Sequence, residues 1–284
     1  MSRHDDPSAP DAMVAGDAAE FDTAWTRAPE SVPRAAERNP NRAIQTARTL
    51  IWALLIALAV RSLLFQPFHI PTGSMKPTLL EGDYVIASKF AYGFAPASLP
   101  GNPPLGDWRV FRAAPERGDI VVFRAPQEPH QAYIKRVIGL PGDRVAMADG
   151  QISLNGVEVP RGAPGEIAAQ DAFGHDVAYE SWREILPEGV AYTVLDRGDS
   201  ALDHVVEFTV PQGHYFVLGD NRDESRDSRV AQPEGPGLIP ESHLIGRAEI
   251  VLLSVDEQFQ LFAPWTWWRV RPARFALGLD GSAA

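Results

Sequence analysis

The chain has 284 residues, 45% of them hydrophobic, which is enough for a substantial core in one large domain or two small ones. Its formal net charge of −11, with no basic stripe to offset it, excludes nucleic acid as a main partner. The absence of cysteine excludes thiol chemistry, disulfides and cysteine-based zinc sites, and the seven histidines lack the spacing of metal ligands. We therefore expect no metal and no other cofactor.

Residues 1–42 are rich in Ala, Pro, Arg and acidic residues, and their few aliphatic side chains show no periodicity. Such a segment cannot bury enough apolar surface to offset the entropy of ordering, so we predict a disordered tail. An apolar run follows at residues 49–60. Its extension over residues 43–67 is long enough for a single transmembrane helix if Arg48 and Arg61 reach the lipid headgroups. A buried core helix is the alternative.

Basic residues flank the N-terminal side of the apolar run, and they predict the direction of the span. The positive-inside rule keeps the flank that is richer in arginine in the cytoplasm. The tail is therefore expected in the cytoplasm, and the residues after about 68 on the periplasmic face of the inner membrane. Arg61 on the far side opposes this orientation without reversing it. The arginines before the span are Arg27, Arg34, Arg38, Arg42 and Arg48.

From residue 68 the chain consists of short β-branched runs separated by Gly-Asp turns, which predicts a mainly β domain over residues 68–284. Asn155-Gly156 lies between two such runs and predicts a type I′ hairpin. Residues 160–210 are more polar and irregular than their surroundings, so we predict a small subdomain inserted at about residues 144–211.

The C-terminal segment 259–271 places three tryptophans among arginines. This combination is typical of membrane interfaces, where an aromatic ring lies at headgroup level. A buried terminal strand that caps the sheet would have the same composition. Both interpretations are open from the sequence.

Lysine is scarce in this chain, which makes each one a candidate for chemistry. A buried lysine can lose its proton and act as a general base, whereas arginine cannot. Lys135 lies in an alternating stretch where its same-face neighbours, Tyr133 and Val137, would strip it of water. We predict that Lys76 is a solvated turn residue, and we assign no role to Lys89. These three are the only lysines among the 26 basic residues.

Ser74 lies upstream in a turn between glycine and proline, PTGSMKPT at residues 71–78. A free lysine has a pKa of about 10.4 and is almost fully protonated at neutral pH. Burial lowers that pKa, after which the amine can take a proton from a hydroxyl. A serine and such a lysine suffice for nucleophilic catalysis without histidine.

Three segments, residues 71–80, 117–143 and 219–229, follow the apolar run in an order that resembles bacterial type I signal peptidases. The resemblance covers roughly residues 45–253. It implies a catalytic domain of coiled antiparallel β-sheets behind the N-terminal anchor. The activity that it implies is that of a membrane-bound serine endopeptidase, which removes signal peptides from secretory preproteins with a Ser-Lys dyad.

Site residues follow from the resemblance by position. It implies that Ser74 is the nucleophile, that Lys135 is the general base, and that Ser225 orients the lysine ammonium. The hydroxyl of Thr72 would join the Ser74 backbone N–H in an oxyanion hole. Glu224 stands where family members commonly have Asn. An ion-pair network is implied to support the site, and its residues are Asp227 with Arg229 or Arg222.

The implied substrate is an extended peptide that adds as a strand beside the Ser74 and Lys135 segments, with small residues at the first and third positions before the cut. Membrane lipid is the other expected partner. Specialised processing of a single pilin or conjugation-type substrate by the same Ser-Lys chemistry is the alternative function. The candidate walls of the substrate pocket are Phe68, Ile70, Ile86, Tyr133 and Ile134.

Overall fold

The computed structural model describes residues 40–279 apart from 100, 102, 104, 172, 257 and 261. The predicted tail, residues 1–42, lies outside the described residues except for its last three positions. Helix α1 spans Pro40–Leu63, so it begins before the predicted anchor at 43–67 and ends short of it. Judged by length and mean hydropathy together, none of the helices in this part of the chain qualifies as a membrane span.

The described residues also contain fifteen strands and six short 3₁₀ helices. The strands are β1 Phe65–His69, β2 Asp83–Ser88, β3 Ile120–Ala125, β4 Glu128–Gly139, β5 Arg144–Ala148, β6 Gln151–Leu154, β7 Val157–Glu158, β8 Gly165–Gln170, β9 Asp176–Ile185, β10 Ala191–Asp196, β11 Val205–Thr209, β12 His214–Leu218, β13 Ile239–Pro240, β14 Leu244–Ser254 and β15 Leu277–Gly278. The 3₁₀ helices are Phe90–Tyr92, Pro96–Ser98, Ala201–Asp203, Glu241–His243, Pro264–Arg269 and Pro272–Arg274.

Eight strands form one large sheet in the order β1-β2-β14-β3-β4-β12-β13, with β15 paired to β14. Every strand pair in it is antiparallel. Strand β14 has register shifts against both of its long neighbours, and such irregularities increase the local twist of a sheet. The predicted mainly β, antiparallel fold is confirmed.

Strands β5 to β11 lie between β4 and β12 in the chain and form two smaller sheets, β11-β5-β6-β7 and β10-β9-β8. Their apolar side chains pack on the large sheet, since Val145 and Val194 share a buried cluster with Ile138 of β4 and Phe216 of β12. In the first small sheet, residues 155 and 156 link β6 to β7 with φ angles of 55° and 82°. The predicted type I′ hairpin is therefore confirmed.

A second buried cluster lies on the large sheet near its β1 edge. Met75 and Leu79, both fully buried, pack there with Val85 of β2 and Ile120 of β3. Close packing of this kind holds the turn that follows β1 firmly against the sheet. The position of Ser74 is thereby fixed by the residues immediately after it.

The described residues of the C-terminal segment, 259–271 apart from 261, do not form a buried strand. The segment forms the 3₁₀ helix Pro264–Arg269, whose tryptophans Trp265 and Trp268 are 69% and 73% exposed. The prolines at 264 and 272 cannot donate to a ladder of backbone hydrogen bonds, which explains why this segment does not continue the sheet. The alternative of a buried terminal strand was wrong.

Candidate active site

Ser74 lies in a tight turn directly after β1. The Lys76 N–H donates to the Gly73 carbonyl at 3.0 Å, and the Leu79 N–H donates to the Met75 carbonyl at 2.8 Å, so the backbone winds through two consecutive turns. Ser74 itself is only 6% exposed. The hydroxyl is therefore held in a dry environment by a rigid backbone.

Lys135 reaches this hydroxyl from β4. Its Nζ lies 2.6 Å from Ser74 Oγ and 3.0 Å from the Ile134 carbonyl oxygen. The side chain is 3% exposed, and its strand is paired with β3 at Val121. A neutral amine has two N–H donors and one lone pair, so it can donate to the carbonyl while it accepts the hydroxyl proton of Ser74.

Burial lowers the pKa of Lys135 from its ordinary value of 10.5 to about 8. The Asp227 and Asp220 carboxylates oppose the shift, and the Arg229 guanidinium adds to it. Desolvation penalises the ammonium form and is the dominant effect. A fraction of the amine is therefore neutral at physiological pH, and that is the state a general base needs.

The loop after β12 closes the site from the other side. A Cβ atom at Gly219 would collide with Ser225 Oγ and with the Ser74 carbonyl oxygen, so only glycine allows this approach. The Asn221 N–H donates to the Ser74 carbonyl at 3.1 Å. Ser225 is buried next to the pair, but its hydroxyl makes no hydrogen bond to Lys135 among the described residues.

Of the two arginines considered for Asp227, the structure selects Arg229. Its Nε and Nη2 lie 2.9 and 3.0 Å from the two Asp227 oxygens, and the Gly219 N–H also donates to this carboxylate at 3.0 Å. Burial raises the pKa of Asp227, but Arg229 and these hydrogen bonds outweigh it and hold the pKa below its usual range. Arg222 instead pairs with Glu184 of β9 at 2.5 Å, because its side chain points into the insert.

A buried ion pair between Arg136 and Asp220, next to the Ser74 turn, was not predicted from the sequence. Arg136 Nη2 lies 2.6 Å from Asp220 Oδ2, and the Thr78 hydroxyl donates to the same oxygen at 2.5 Å. These three side chains join β4, the loop after β12 and the Ser74 turn. Both charged residues occur beside motif positions, Lys135-Arg136 and Gly219-Asp220, which was the only signal in the sequence.

A cleft of about 620 Å³ opens over Ser74 and Lys135. Strands β1 and β4 both line it although three strands separate them in the sheet order, so the sheet must curl. Ile86 is not on its wall, because it pairs with Pro67 and so faces away from Phe68, which pairs with Val85. The predicted wall and oxyanion residues that do line the cleft are Phe68, Ile70, Thr72, Tyr133 and Ile134.

Two charged residues that the sequence analysis did not assign to the substrate pocket, Glu224 and Arg226, also line the cleft. Glu224 lines the cleft, where its carboxylate accepts a hydrogen bond from Tyr179 of β9 at 2.5 Å and lies 3.6 Å from Arg197. Arg226 also lines it and pairs with Glu128 at 3.1 Å. Their partners come from distant parts of the chain, so no local sequence pattern identifies these contacts.

Two groups of side chains with metal-ligand atoms converge elsewhere in the described residues. The exposed group is Asp149, Asp199 and His204, and the more buried group is Asp196, Asp203 and Asp223. Neither group includes a residue of the cleft. We assign no metal to either, and the absence of a metal cofactor stays a prediction.

Comparison with known proteins identifies the family. The family model described as "Signal peptidase, peptidase S26" matches residues 43–253, which is more than half of the chain. The chain belongs to this signal peptidase family. It is therefore a serine peptidase, a hydrolase that acts on peptide bonds.

Relatives in the family align with this chain over most of their length. Signal peptidase I from Rickettsia typhi is 38% identical over 233 residues, which cover 79% of this chain and 82% of that protein. Signal peptidase I from Rickettsia prowazekii is 37% identical over 240 residues, with 81% and 85% covered. A crystal structure of a signal peptidase I from Enterococcus faecalis matches at a TM-score of 0.28 and 28% identity, covering 48% of this chain and 97% of that one.

Proposed function

We propose that this chain is a membrane-bound endopeptidase that removes signal peptides from secretory preproteins with a Ser74-Lys135 dyad. One observation carries the proposal: the Lys135 amine lies 2.6 Å from the Ser74 hydroxyl, and both groups are buried. A lysine with a pKa of about 8 in contact with a serine hydroxyl has the properties of a general base and its nucleophile.

Acylation begins when neutral Lys135 takes the Ser74 proton and Ser74 Oγ attacks the carbonyl carbon of the scissile peptide bond. The Ser74 backbone N–H and the Thr72 hydroxyl donate to the oxyanion that forms. The Lys135 ammonium then gives its proton to the leaving amine as the C–N bond breaks. The mature protein leaves with that new amino terminus, and the signal segment remains as an ester on Ser74.

Deacylation uses the same amine again. Lys135 is neutral once more after protonating the leaving group, and it takes a proton from a water molecule that attacks the ester carbonyl. The C–O bond to Ser74 breaks, and the proton returns to Ser74 Oγ. The supports proposed for this geometry are Ser225, close to Ser74, and the pair Asp227–Arg229, which holds the Gly219 amide.

The substrate lies extended in the cleft between β1 and β4, where free backbone groups on the unpaired edges of the two strands can bind it. Among the residues that the structure describes, strand β1 pairs with β2 alone, and the part of β4 around Tyr133 pairs with β3 alone. The bulky side chains of Phe68 and Ile134 line the cleft, and we expect them to favour small substrate side chains next to the cut.

Substitution of the two dyad residues tests this function. We expect Ser74→Ala and Lys135→Arg to lower kcat at least about 10³-fold on a precursor with an Ala-X-Ala cleavage site in detergent, since each removes a group the reaction requires. Lys135→Arg keeps the positive charge but cannot provide a neutral amine.

Ser153→Ala in β6 is the control, because Ser153 lies in the insert and lines no part of the cleft. It should cleave the precursor like the unaltered chain. Cleavage at an unchanged rate by Lys135→Arg would contradict the proposed role of the amine, and the same result for Ser74→Ala would contradict the proposed nucleophile.

A further inference from the structure

Lys76 is not the solvated turn lysine that the sequence suggested. It is 6% exposed, and its Nζ lies 3.0 Å from Glu81 Oε2 and donates to the Gln170 carbonyl at 2.8 Å. Burying an ammonium is costly unless ion pairs and hydrogen bonds replace its water. Both replacements are present, so the side chain occupies a site built for it.

The Lys76 ion pair packs directly against the backbone that carries the nucleophile. A Cβ atom at Gly73 would come within 2.8 Å of Lys76 Cε and within 2.9 Å of both Lys76 Nζ and Glu81 Oε1. Gly73 precedes Ser74, and its carbonyl accepts the Lys76 N–H at 3.0 Å. A shift of this side chain would therefore remove packing that holds the peptide unit next to Ser74.

Gln170, which accepts the Lys76 hydrogen bond, lies 94 residues away at the end of β8 in the insert. The small sheet β10-β9-β8 also binds the loop after β12, through its strand β10. There the Leu195 N–H donates to the Asp220 carbonyl at 2.8 Å, and the Leu195 carbonyl accepts the Arg222 N–H at 2.9 Å. The Ser74 turn and the loop after β12 are thus both attached to the small sheet β10-β9-β8.

We propose that Lys76 is a positioning residue that ties the Ser74 turn to strand β8 of the insert and thereby keeps Ser74 Oγ within reach of Lys135. The inference rests on the proposed Ser-Lys mechanism. Lys76 is not assigned to the reacting atoms, since neither Lys76 nor its partners Glu81 and Gln170 line the cleft. It also gives the insert a function: the insert braces the active site.

Replacement of Lys76 by methionine keeps the length of the side chain and removes its charge and its hydrogen bond. The Ser74 turn then loses its tie, and a displacement of about 1 Å between reacting groups costs on the order of 10²-fold in rate. We expect kcat for an Ala-X-Ala precursor to fall about 10- to 100-fold while KM stays within about twofold.

The pH dependence of kcat/KM is a second measurement, and Lys76→Met would leave it unchanged if Lys76 had only a structural role. A displaced Ser74 turn admits water to Lys135, so the pKa of the amine rises from about 8 toward its ordinary value. The acid limb of kcat/KM in Lys76→Met should therefore move to higher pH. Glu81→Gln leaves the hydrogen bond from Lys76 to the Gln170 carbonyl in place. It should therefore lower kcat and move the acid limb to higher pH, each by a smaller amount than Lys76→Met does.

Arg117→Met is the matched control, because Arg117 is a cation of the same burial, 7% exposed, that pairs with Asp143 and Glu188. It should lower the melting temperature and leave the acid limb in place. An unchanged kcat and acid limb in folded Lys76→Met would overturn the inference. Where Lys76→Met does not fold, unchanged values in Glu81→Gln would do so.

Failure of the positioning role and failure of the Ser-Lys mechanism give different results in these experiments. If the unaltered chain shows no acid limb near pH 8, or if Ser74→Ala still cleaves, the mechanism itself is wrong. If the unaltered chain shows that limb and Lys76→Met behaves like Arg117→Met, only the role of Lys76 is wrong.

Discussion

Lys135 is the residue whose protonation controls the proposed reaction. Its amine must be neutral to accept the Ser74 proton, and burial lowers its pKa to about 8. Below that pH the ammonium predominates, with roughly one tenth of the amine neutral at pH 7, so activity is lost as pH falls. Above it the amine is fully available.

We therefore predict that kcat/KM for a peptide substrate rises about tenfold per pH unit below pH 8 and levels off above it. Initial rates between pH 6 and 10 measure this, with the folded fraction followed by circular dichroism at each pH. A limb near pH 6 would contradict the assignment and would instead indicate a histidine as the base.

Sequence reasoning at the residue scale reached residues within a short motif and missed contacts whose partner is distant. Local patterns, a glycine-proline turn and an alternating strand, pointed to Ser74 and Lys135, which the structure brings within 2.6 Å of each other, and their catalytic roles stay a prediction. The burial of Lys76 could not, because it depends on a carbonyl of the insert 94 residues away. The partner of Arg222 was undecided for the same reason, since Glu184 belongs to β9.

At the scale of elements, a buried cluster of charges joins β9 to the loop after β12. Glu184 is fully buried between Arg222 at 2.5 Å and Arg161 at 3.0 Å, and it accepts the Tyr192 hydroxyl at 2.7 Å. Burial raises the pKa of Glu184, but the two arginines outweigh it and hold the pKa below its usual range. One carboxylate thus pairs with two cations in the interior.

We predict that Glu184→Gln lowers the free energy of unfolding by about 3 kcal/mol, because it removes the carboxylate that pairs with two buried guanidinium groups. Urea denaturation followed by tryptophan fluorescence measures the change. Glu180→Gln in the same strand is the control, since Glu180 is exposed, and it should change stability by less than about 0.5 kcal/mol. Equal effects of the two substitutions would contradict the importance of the cluster.

Element prediction from the sequence followed the strength of the local signal. The Asn155-Gly156 turn specifies its hairpin by itself, because both residues tolerate positive φ angles. The order of strands in the large sheet has no such local code. Strand β14 pairs with β2 and β3, which lie more than a hundred residues earlier, and only the packing of the complete core selects that arrangement.

At the scale of the whole molecule, α1 leaves its apolar side chains without cover. Between residues 51 and 60 these side chains are 42–60% exposed. Continuous apolar surface of this extent marks a site of contact with lipid or protein. Although α1 does not qualify as a membrane span by length and mean hydropathy, we propose that its exposed apolar side chains attach the chain to the inner membrane, with the β-rich part on the periplasmic face as the sequence predicts.

We predict that the full chain sediments with membranes and that a chain lacking residues 1–63 does not, because the deletion removes the exposed apolar helix. Carbonate extraction followed by immunoblotting makes the measurement. A chain lacking only residues 1–39 is the control and should stay with the membrane. Membrane retention without residues 1–63 would contradict α1 as the anchor and would direct attention to the exposed tryptophans of the 3₁₀ helix Pro264–Arg269.

The separation of Ser74 and Lys135 by 61 residues along the chain governs when the enzyme can first act. During synthesis Ser74 is made well before Lys135. The loop after β12, which contains Gly219 and packs against Ser74, is made later still. A nascent chain that ends before residue 219 therefore lacks part of the proposed Ser-Lys site. Under the proposed mechanism, proteolysis can begin only after the loop that follows β12 has been made and has folded against Ser74.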